Sequence, residues 1–519
     1  MGAKGRRMGL IRHLSQVSAL TLLSRVLGFV RDMLMARHLG AGLASDAFFV
    51  AFKLPNFFRR LFAEGAFSAA FVPLYAEART RDPTGRDARR LAEQALAILS
   101  AVLLLFTVLA QIAMPGVIAV LAPGFLDDPA KAHLAVELTR LTFPYLACIS
   151  LVALLAGVLN AHDRFAAPAA APVLLNLTFI AALLLFADGP PVTARRLAFA
   201  VTVAGIVQLV WLVLAAARAG IRLRFVRPRW TPGIARLLTL MLPVALGAGI
   251  TQVNLMVDVV LASFLDDGAL SWLFYADRLN QLPLGVIGVA VGTTLLPALS
   301  RAHAAGRPAE AERLLAQALN LTLLLALPAA AALILLPDAL IAGLFQRGAF
   351  DAADTRATAA ALMAYASGLP AYMLTKALVP VFYAEKDTRT PTRIALTALG
   401  ANFLLNLTLI WWLGHVGLAL ATSLAAWLQT ALLARILGRR GRLPRRLLAH
   451  IPLGRILLAT GGMAAVLAAL RHLLAGMGLG AAAAMAVLVA AGLLAYAAAA
   501  AGLGLHRRLG APARASPPS

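Results

Sequence analysis

The stretch LAILSAVLLLFTVLAQIAM, Leu96 to Met114, carries no charged side chain from end to end. A helix on the surface of a soluble domain shows a polar face once in every turn of about 3.6 residues. Here that face is missing all the way round, and the run matches the ~20 apolar residues that cross the hydrocarbon of a bilayer. AAAAMAVLVAAGLLAYAAAA, Ala481 to Ala500, reads the same way. Composition agrees: 61% of the 519 residues are hydrophobic and mean hydropathy is +0.82, against the ~45–50% apolar usage of soluble domains. The chain is expected to be an all-α polytopic membrane protein.

A window of about 20 residues yields about fourteen transmembrane helices. They begin near Leu14, Asp46, Leu91, Leu134, Ala166, Thr193, Arg236, Ser271, Ala311, Asp354, Pro391, Val416, His450 and Gly480. The links alternate in sign: basic at Arg79 to Arg90, acidic at Asp127 and Asp128, basic at Arg218 to Arg229, acidic at Asp266 and Asp267, basic at Arg301 to Arg313 and at Arg435 to Arg446. Lys and Arg are retained on the cytoplasmic side, so even links and both termini are placed inside. The start, MGAKGRRMGLIRHLSQVSAL, is read as a basic tail leading into a retained helix, because Arg25 and Arg31 interrupt its apolar run. The formal charge of +24 sits in short links between apolar runs. That is cytoplasmic bias and not the basic face of a nucleic-acid-binding domain, so no nucleic-acid partner is expected. Cys148 is the single cysteine, which excludes an internal disulfide and a cysteine-ligated cluster.

The chain repeats itself. LLNLT occurs at Leu174 to Thr178 and at Leu404 to Thr408, preceded by NAHDRFAAP ending at Pro168 and YAEKDTRTP ending at Pro391. TFPYL (Thr142 to Leu146) faces GLPAY (Gly368 to Tyr372), and DAFFVAFKL (Asp46 to Leu54) faces SWLFYADRL (Ser271 to Leu279). The copies lie roughly 225 residues apart, an even number of spans, as in transporters built of parallel repeats. Two six-helix lobes are expected, at 1–230 and 231–447, followed by two appended helices at 448–519.

Charges inside the spans carry the functional signal, since each costs roughly 2.5–3.5 kcal/mol at the bilayer centre even on insertion scales. AFKLPNFFRRLFAEGAFSAAFVP, Ala51 to Pro73, holds Lys53, Arg59, Arg60 and Glu64. Pro55 is expected to interrupt the second helix and Gly28 the first. On an unbroken helix Arg60 and Glu64, at i and i+4, pair with each other. Arg25 and Asp32, seven apart, share a face and leave Arg31 for another partner. Arg278 occupies the position of Lys53 in the second copy, so cations from both halves are expected to converge. Arginine forks suit phosphate oxygens, and an anion or diphosphate cargo is one reading of Arg25, Arg31, Arg59 and Arg278; structural ion pairing is the other.

SRVLGFVRD (Ser24 to Asp32), ASDAFFVAFKLPNFFRRLFAEGAFSAAFVP (Ala44 to Pro73), LAPGF (Leu121 to Phe125) and SWLFYADRLNQLPLGVIGVAVGTTLLPALS (Ser271 to Ser300) closely resemble the MurJ (MviN) family of lipid II flippases. This family lies within the multidrug/oligosaccharidyl-lipid/polysaccharide exporter superfamily. The resemblance implies alternating access in the bacterial cytoplasmic membrane, with lipid II as cargo, a prenyl groove on the appended helices, and function as a monomer among membrane lipids. It assigns substrate contacts to Arg25, Arg31, Asp46, Arg59 and Arg278. Ser24, Asp32, Lys53, Asn56, Arg60, Glu64, Ser271 and Asp277 stand as supporting or gating groups. Resemblance to members that bind sodium in the second lobe also points to Asp258, Asn402, Asn406, the Leu418 carbonyl and Thr422. Oxygen ligands suit a hard cation; the alternative is a structural acid at Asp258, with Asn406 as a packing residue like its LLNLT counterpart.

Rivals are an O-antigen lipid flippase, whose cargo also carries diphosphate, a drug exporter, which an Arg-rich cavity suits poorly, and a prenyl-phosphate glycosyltransferase. An enzyme is not expected: the chain has no His-Glu-x-x-His, its nine histidines are scattered, and GMGLG at Gly476 to Gly480 follows no strand.

Overall fold

A computed structural model describes residues 3–285, 289–443 and 451–505. The described chain is all helix and turn. Helices α1 (Ala3–Leu39), α2 (Leu43–Phe58), α3 (Ser68–Arg81), α4 (Arg86–Leu121), α5 (Pro129–Thr142), α6 (Tyr145–Ala161), α7 (Ala166–Phe186) and α8 (Pro190–Arg218) are followed by α9 (Pro232–Ala262). Then come α10 (Ala269–Pro283), α11 (Val289–Ala304), α12 (Pro308–Leu335), a short α13 (Pro337–Phe345), α14 (Ala352–Ala384), α15 (Arg389–Arg439), α16 (Leu453–Ala475) and α17 (Ala481–Gly502).

Among the described residues nine segments, with α5 and α6 counted together as one, are long and apolar enough to cross a membrane unaided. The remainder fall short because charges or breaks divide them, and they include the arginine-bearing α1, α2 and α10. Counted with those, and with the two arms of α15, the segments follow the about fourteen spans expected from hydropathy. Large apolar side chains stay exposed along them, such as Ile112, Leu185, Trp411 and Trp412, a surface that lipid covers.

Helix α15 is two helices joined at Gly414, whose φ of 53° with ψ of −131° is open to glycine and strained for other residues. This hinge lets a single continuous element supply two antiparallel spans.

The expected breaks fall elsewhere. Helix α1 runs unbroken through Gly28, and α2 runs through Pro55. Proline removes the N–H that would bond the carbonyl four residues earlier, here that of Ala51. The Thr142 hydroxyl of α5 takes that carbonyl at 2.8 Å, so the helix tolerates its proline. The irregularity comes later, as a π-helical segment over Arg59–Phe67 that passes straight into α3. Its wider i→i+5 turns press the Arg60 carbonyl against position 65. A Cβ on Gly65 would stand 2.7 Å from that oxygen, which is why a glycine is needed there. Arg60 is exposed in this segment, and the Glu64 side chain expected to pair with it lies outside the described residues.

The chain packs into two units, Met1–Ser271 with Arg347–Phe350, and Trp272–Gln346 with Asp351–Ser519. In the first, α1 packs on α7, α2 on α5, and α9 on the π segment. Its core is aromatic: Phe48, Phe49, Phe71, Phe125, Phe143, Tyr145 and Phe179 are fully buried. Phe52 stacks on Phe48 at 5.9 Å and leans on Phe179 at 5.5 Å. In the second unit α14 packs on both arms of α15, around Leu378, Phe382, Leu433 and Leu437. The appended α16 and α17 rest on α12 through Ile456 and Ala459 beside Leu324, and the Tyr496 hydroxyl donates to the Leu324 carbonyl at 2.5 Å.

Candidate functional site

The first unit holds three polar groupings that its sequence spaced far apart. In α1, Arg31 donates to Asp32 Oδ1 from Nε at 3.0 Å and from Nη2 at 2.7 Å. Its Nη1 donates to Asn176 Oδ1 at 3.0 Å. Asn176 in turn donates to the Ser24 carbonyl at 2.9 Å and to its hydroxyl at 3.3 Å. The guanidinium also lies 5.5 Å from the Phe179 ring centroid. Spacing assigned Asp32 to the face of Arg25 and left Arg31 over; the structure gives Asp32 to Arg31, because neighbouring side chains on one turn can bend toward each other. Arg31 is thus buried within the first unit, 7% exposed, while Arg25 is exposed on α1. Asn176 belongs to the first LLNLT copy, and sequence reasoning used it only as a repeat marker. A buried amide in a repeated apolar motif was the available signal.

In α2, Asn56 Nδ2 donates to the Phe52 carbonyl at 2.8 Å, which fixes the amide so that its oxygen accepts from Arg59 Nε at 3.1 Å. Arg59 stands at the first position of the π segment, half-buried. Lys53 is half-buried and Arg60 exposed.

Asp46 opens α2 and is 1% exposed. Its carboxylate accepts from the Gly268 N–H at 2.8 Å, the Ser271 N–H at 3.0 Å and the Ser271 hydroxyl at 2.6 Å. It therefore caps the start of α10, satisfying N–H groups that a helix leaves orphaned at its first turn. The Ser45 and Ser271 hydroxyls are 2.8 Å apart. Lys131 of α5 closes the group, with Nζ 2.5 Å from Asp267, 3.7 Å from Asp46 and 4.2 Å from the Phe125 ring centroid. In the sequence the acids Asp127 and Asp128 stand out beside this lysine, and its partners Asp46 and Asp267 lie far from it along the chain.

In the second unit, the Arg278 guanidinium lies 4.7 Å from the Phe274 ring centroid, and Gln281 donates to Asp277. Trp272 Nε1 donates to Asp354 at 3.0 Å. The two arms of α15 bring Asn402 and Asn406 to Leu418 and Thr422. Asn406 donates to Asn402 Oδ1 at 3.2 Å, Asn402 to Thr422 Oγ1 at 3.5 Å, and Thr422 to the Leu418 carbonyl at 3.0 Å. Asn402 and Asn406 are both buried. This is a set of neutral oxygens of the kind a monovalent cation accepts; Asp258 belongs to the first unit. Among the described residues no cluster of His, Cys, Asp and Glu has metal-binding spacing.

A family model described as "Lipid II flippase MurJ" matches residues 35–488. A Rhizobium meliloti protein named "Probable lipid II flippase MurJ" is 45% identical over 467 residues, covering 89% of this chain and 86% of the relative. A solved structure titled "Lipid II flippase MurJ, inward closed conformation" superposes with a TM-score of 0.79 at 27% identity, over 95% of this chain and 99% of that one. The inward-facing structure of a multidrug resistance MATE transporter of the MOP superfamily, at 16% identity and a TM-score of 0.62 over 84% of this chain and 99% of that one, shares the fold. With the match spanning residues 35–488 and both copies of the repeat, the chain belongs to the MurJ family of lipid II flippases.

Proposed function

We propose that this protein moves lipid II, the undecaprenyl-diphosphate-linked disaccharide peptide, from the cytoplasmic to the periplasmic leaflet of the bacterial cytoplasmic membrane by alternating access. The reading rests on one observation: the family match covers residues 35–488, including the segments that carry Arg59 and Arg278. We take the lobes to be 1–230 and 231–447, with 448–519 appended for the prenyl tail, both termini cytoplasmic, and the monomer as the working unit.

Chemistry supports the cargo. Arg59 is aimed by Asn56, a neutral amide that orients a guanidinium without cancelling its charge, whereas Arg31 is shared between Asn176 and the Asp32 carboxylate. Forked N–H pairs then suit a diphosphate. Arg25 and Arg278 complete the set in this reading. An interior-negative potential favours outward movement of the lipid anion by roughly 2.3 kcal/mol per charge per 100 mV, and draws the emptied cationic cavity back. A sodium ion held by Asn402, Asn406, Thr422 and the Leu418 carbonyl, with Asp258 as counter-charge, would add a second driving gradient.

Rescue of cells depleted of their lipid II flippase, with surface-exposed lipid II measured, tests the cargo. Failure of the well-expressed protein to rescue would instead favour an O-antigen lipid. Alanine at Arg59 or Arg278 is expected to abolish transport at unchanged protein level, with Lys restoring only part. Asp258→Asn is expected to remove sodium dependence and leave potential dependence intact; transport indifferent to sodium in the wild type would dismiss the ion.

A further inference from the structure

On the outer surface of the first unit a groove of about 490 Å³ opens between α4 and α5, within the ~300–1,000 Å³ range of ligand pockets. Its walls are apolar: Pro115 and Ile118 from the last turns of α4, Leu126 from the connecting link, and Val136 from α5. Around it the surface is lipid-facing, with Ile112 and Val120 among the most exposed apolar side chains of the chain. One wall is polar, formed by His133, Glu137 and Arg140.

Arg140 lines the groove, and Arg195 reaches its Glu137. Arg140 Nε donates to the Gln111 carbonyl at 3.1 Å, and Gln111 Nε2 returns a bond to the Arg140 carbonyl at 2.8 Å. This reciprocal pair holds α4 to α5 and fixes the arginine by its Nε alone. Arg195 of α8 gives its Nε to both oxygens of Glu137, at 2.8 and 3.0 Å. The Nη groups of both arginines meet no partner among the described residues. Two cations against one carboxylate leave one positive charge in excess at the mouth of an apolar groove.

These pairs use only the Nε of each arginine, and the cargo reading does not use the cluster. An arginine on a lipid-facing surface is costly unless it reaches the interface or meets an anion there, and planar Nη pairs fit phosphate oxygens. We propose that the groove binds one glycerophospholipid of net charge −1, its phosphodiester on the Nη groups of Arg140 and Arg195 and one acyl chain along Pro115, Ile118, Leu126 and Val136. One phosphate neutralises the one excess charge. Assignment to the external leaflet rests on the topology proposed above, whereas binding itself does not.

Native mass spectrometry of the full chain in detergent, titrated with dioleoyl phosphatidylglycerol or dioleoyl phosphatidylcholine, tests the site without reference to leaflets. Phosphatidylglycerol is expected to bind roughly five- to thirtyfold more weakly to Arg140→Gln/Arg195→Gln, at ~1 kcal/mol per basic group. Val136→Trp, which fills the groove and keeps the charges, is expected to lose the same binding. Glu137→Gln raises the excess charge and is expected to tighten binding, a gain that misfolding cannot produce. Equal phosphatidylglycerol binding by wild type and all three variants would overturn the proposal, as would phosphatidylcholine binding as tightly as phosphatidylglycerol. Displacement by undecaprenyl diphosphate would give the groove to the cargo tail and also defeat it. A topology error would show only as cytoplasmic labelling of a cysteine at Ala130, leaving these titrations unchanged.

Discussion

Replacing Asp46 separates a structural cap from a cargo contact. In Asp46→Ala the Gly268 and Ser271 N–H groups lose their acceptor in a fully buried place. An orphaned buried donor costs about 1–3 kcal/mol, and loss of an N-cap costs about 0.5–2 kcal/mol. The Ser271 hydroxyl keeps Ser45, and Lys131 keeps Asp267, so the loss is expected near 2–4 kcal/mol, within the range of about 1.5–5 kcal/mol for one orphaned donor and one lost cap. Asp46→Asn retains one oxygen for Ser271 and presents an N–H to Gly268, which should halve the loss. Unfolding in mixed detergent and SDS micelles, followed by helical circular dichroism, reads these values. A Ser271→Ala cycle should show coupling of about 0.5–3 kcal/mol, as for residues in one network. If Asp46→Ala unfolds within about 0.5 kcal/mol of wild type, the range of a neutral surface change, yet no longer transports, the cap does not explain the residue and the cargo contact does.

Thr142→Val is expected to destabilise by about 1 kcal/mol, one hydrogen bond, in the wild type but by much less in Pro55→Ala, where residue 55 regains an N–H for the Ala51 carbonyl; equal losses in both backgrounds would refute the compensation. For topology, cysteines at the exposed Arg86 and Arg222 should label only from the cytoplasm, and those at Ala130 and Asp266 only from outside. In the link after α6, burial and then the Arg79 charge lower the pKa of His162, whose Nε2 lies 3.1 Å from the Tyr75 hydroxyl. A depressed folded-state pKa gives stability that is present above the unfolded value of about 6.5 and lost as pH falls through the folded one. Melting between pH 7 and 5 should therefore fall less in His162→Gln than in wild type.

The spans were legible because hydropathy is a one-dimensional signal, and Leu96 to Met114 states it without a helix partner. The repeat was legible for the same reason, as four matches in one order. The break in the second span was not. A proline marks a missing donor in the sequence, but whether the helix bends depends on a hydroxyl from elsewhere, and Thr142 lies 91 residues from Ala51. The π segment likewise needed the Arg60 carbonyl to be seen against Gly65. Charges were visible, and their partners were not: i, i+7 spacing on α1 linked Asp32 to Arg25, whereas local side-chain geometry gave it to Arg31.

Asp46 and Ser271 head matching copies of the repeat, DAFFVAFKL and SWLFYADRL, and they bond directly. If the two positions were chemically alike they could not do this: two carboxylates would repel, and two hydroxyls would leave the first turn of α10 with a weaker acceptor. Divergence of the copies at this position is therefore what makes the contact possible. The same divergence recurs in LLNLT. Asn176 turns its amide to an arginine and a serine, while Asn406 turns to a second amide. One buried polar position in a repeated apolar frame thus meets a guanidinium in the first copy and a second amide in the second. Exchange of the two amides' surroundings tests this: Asn176→Asp should neutralise Arg31 further and impair transport of an anionic lipid. Asn406→Asp places a carboxylate among the oxygens of Asn402, Leu418 and Thr422, where it should be tolerated and strengthen any sodium dependence. Equal impairment by both would mean that the two positions do the same work.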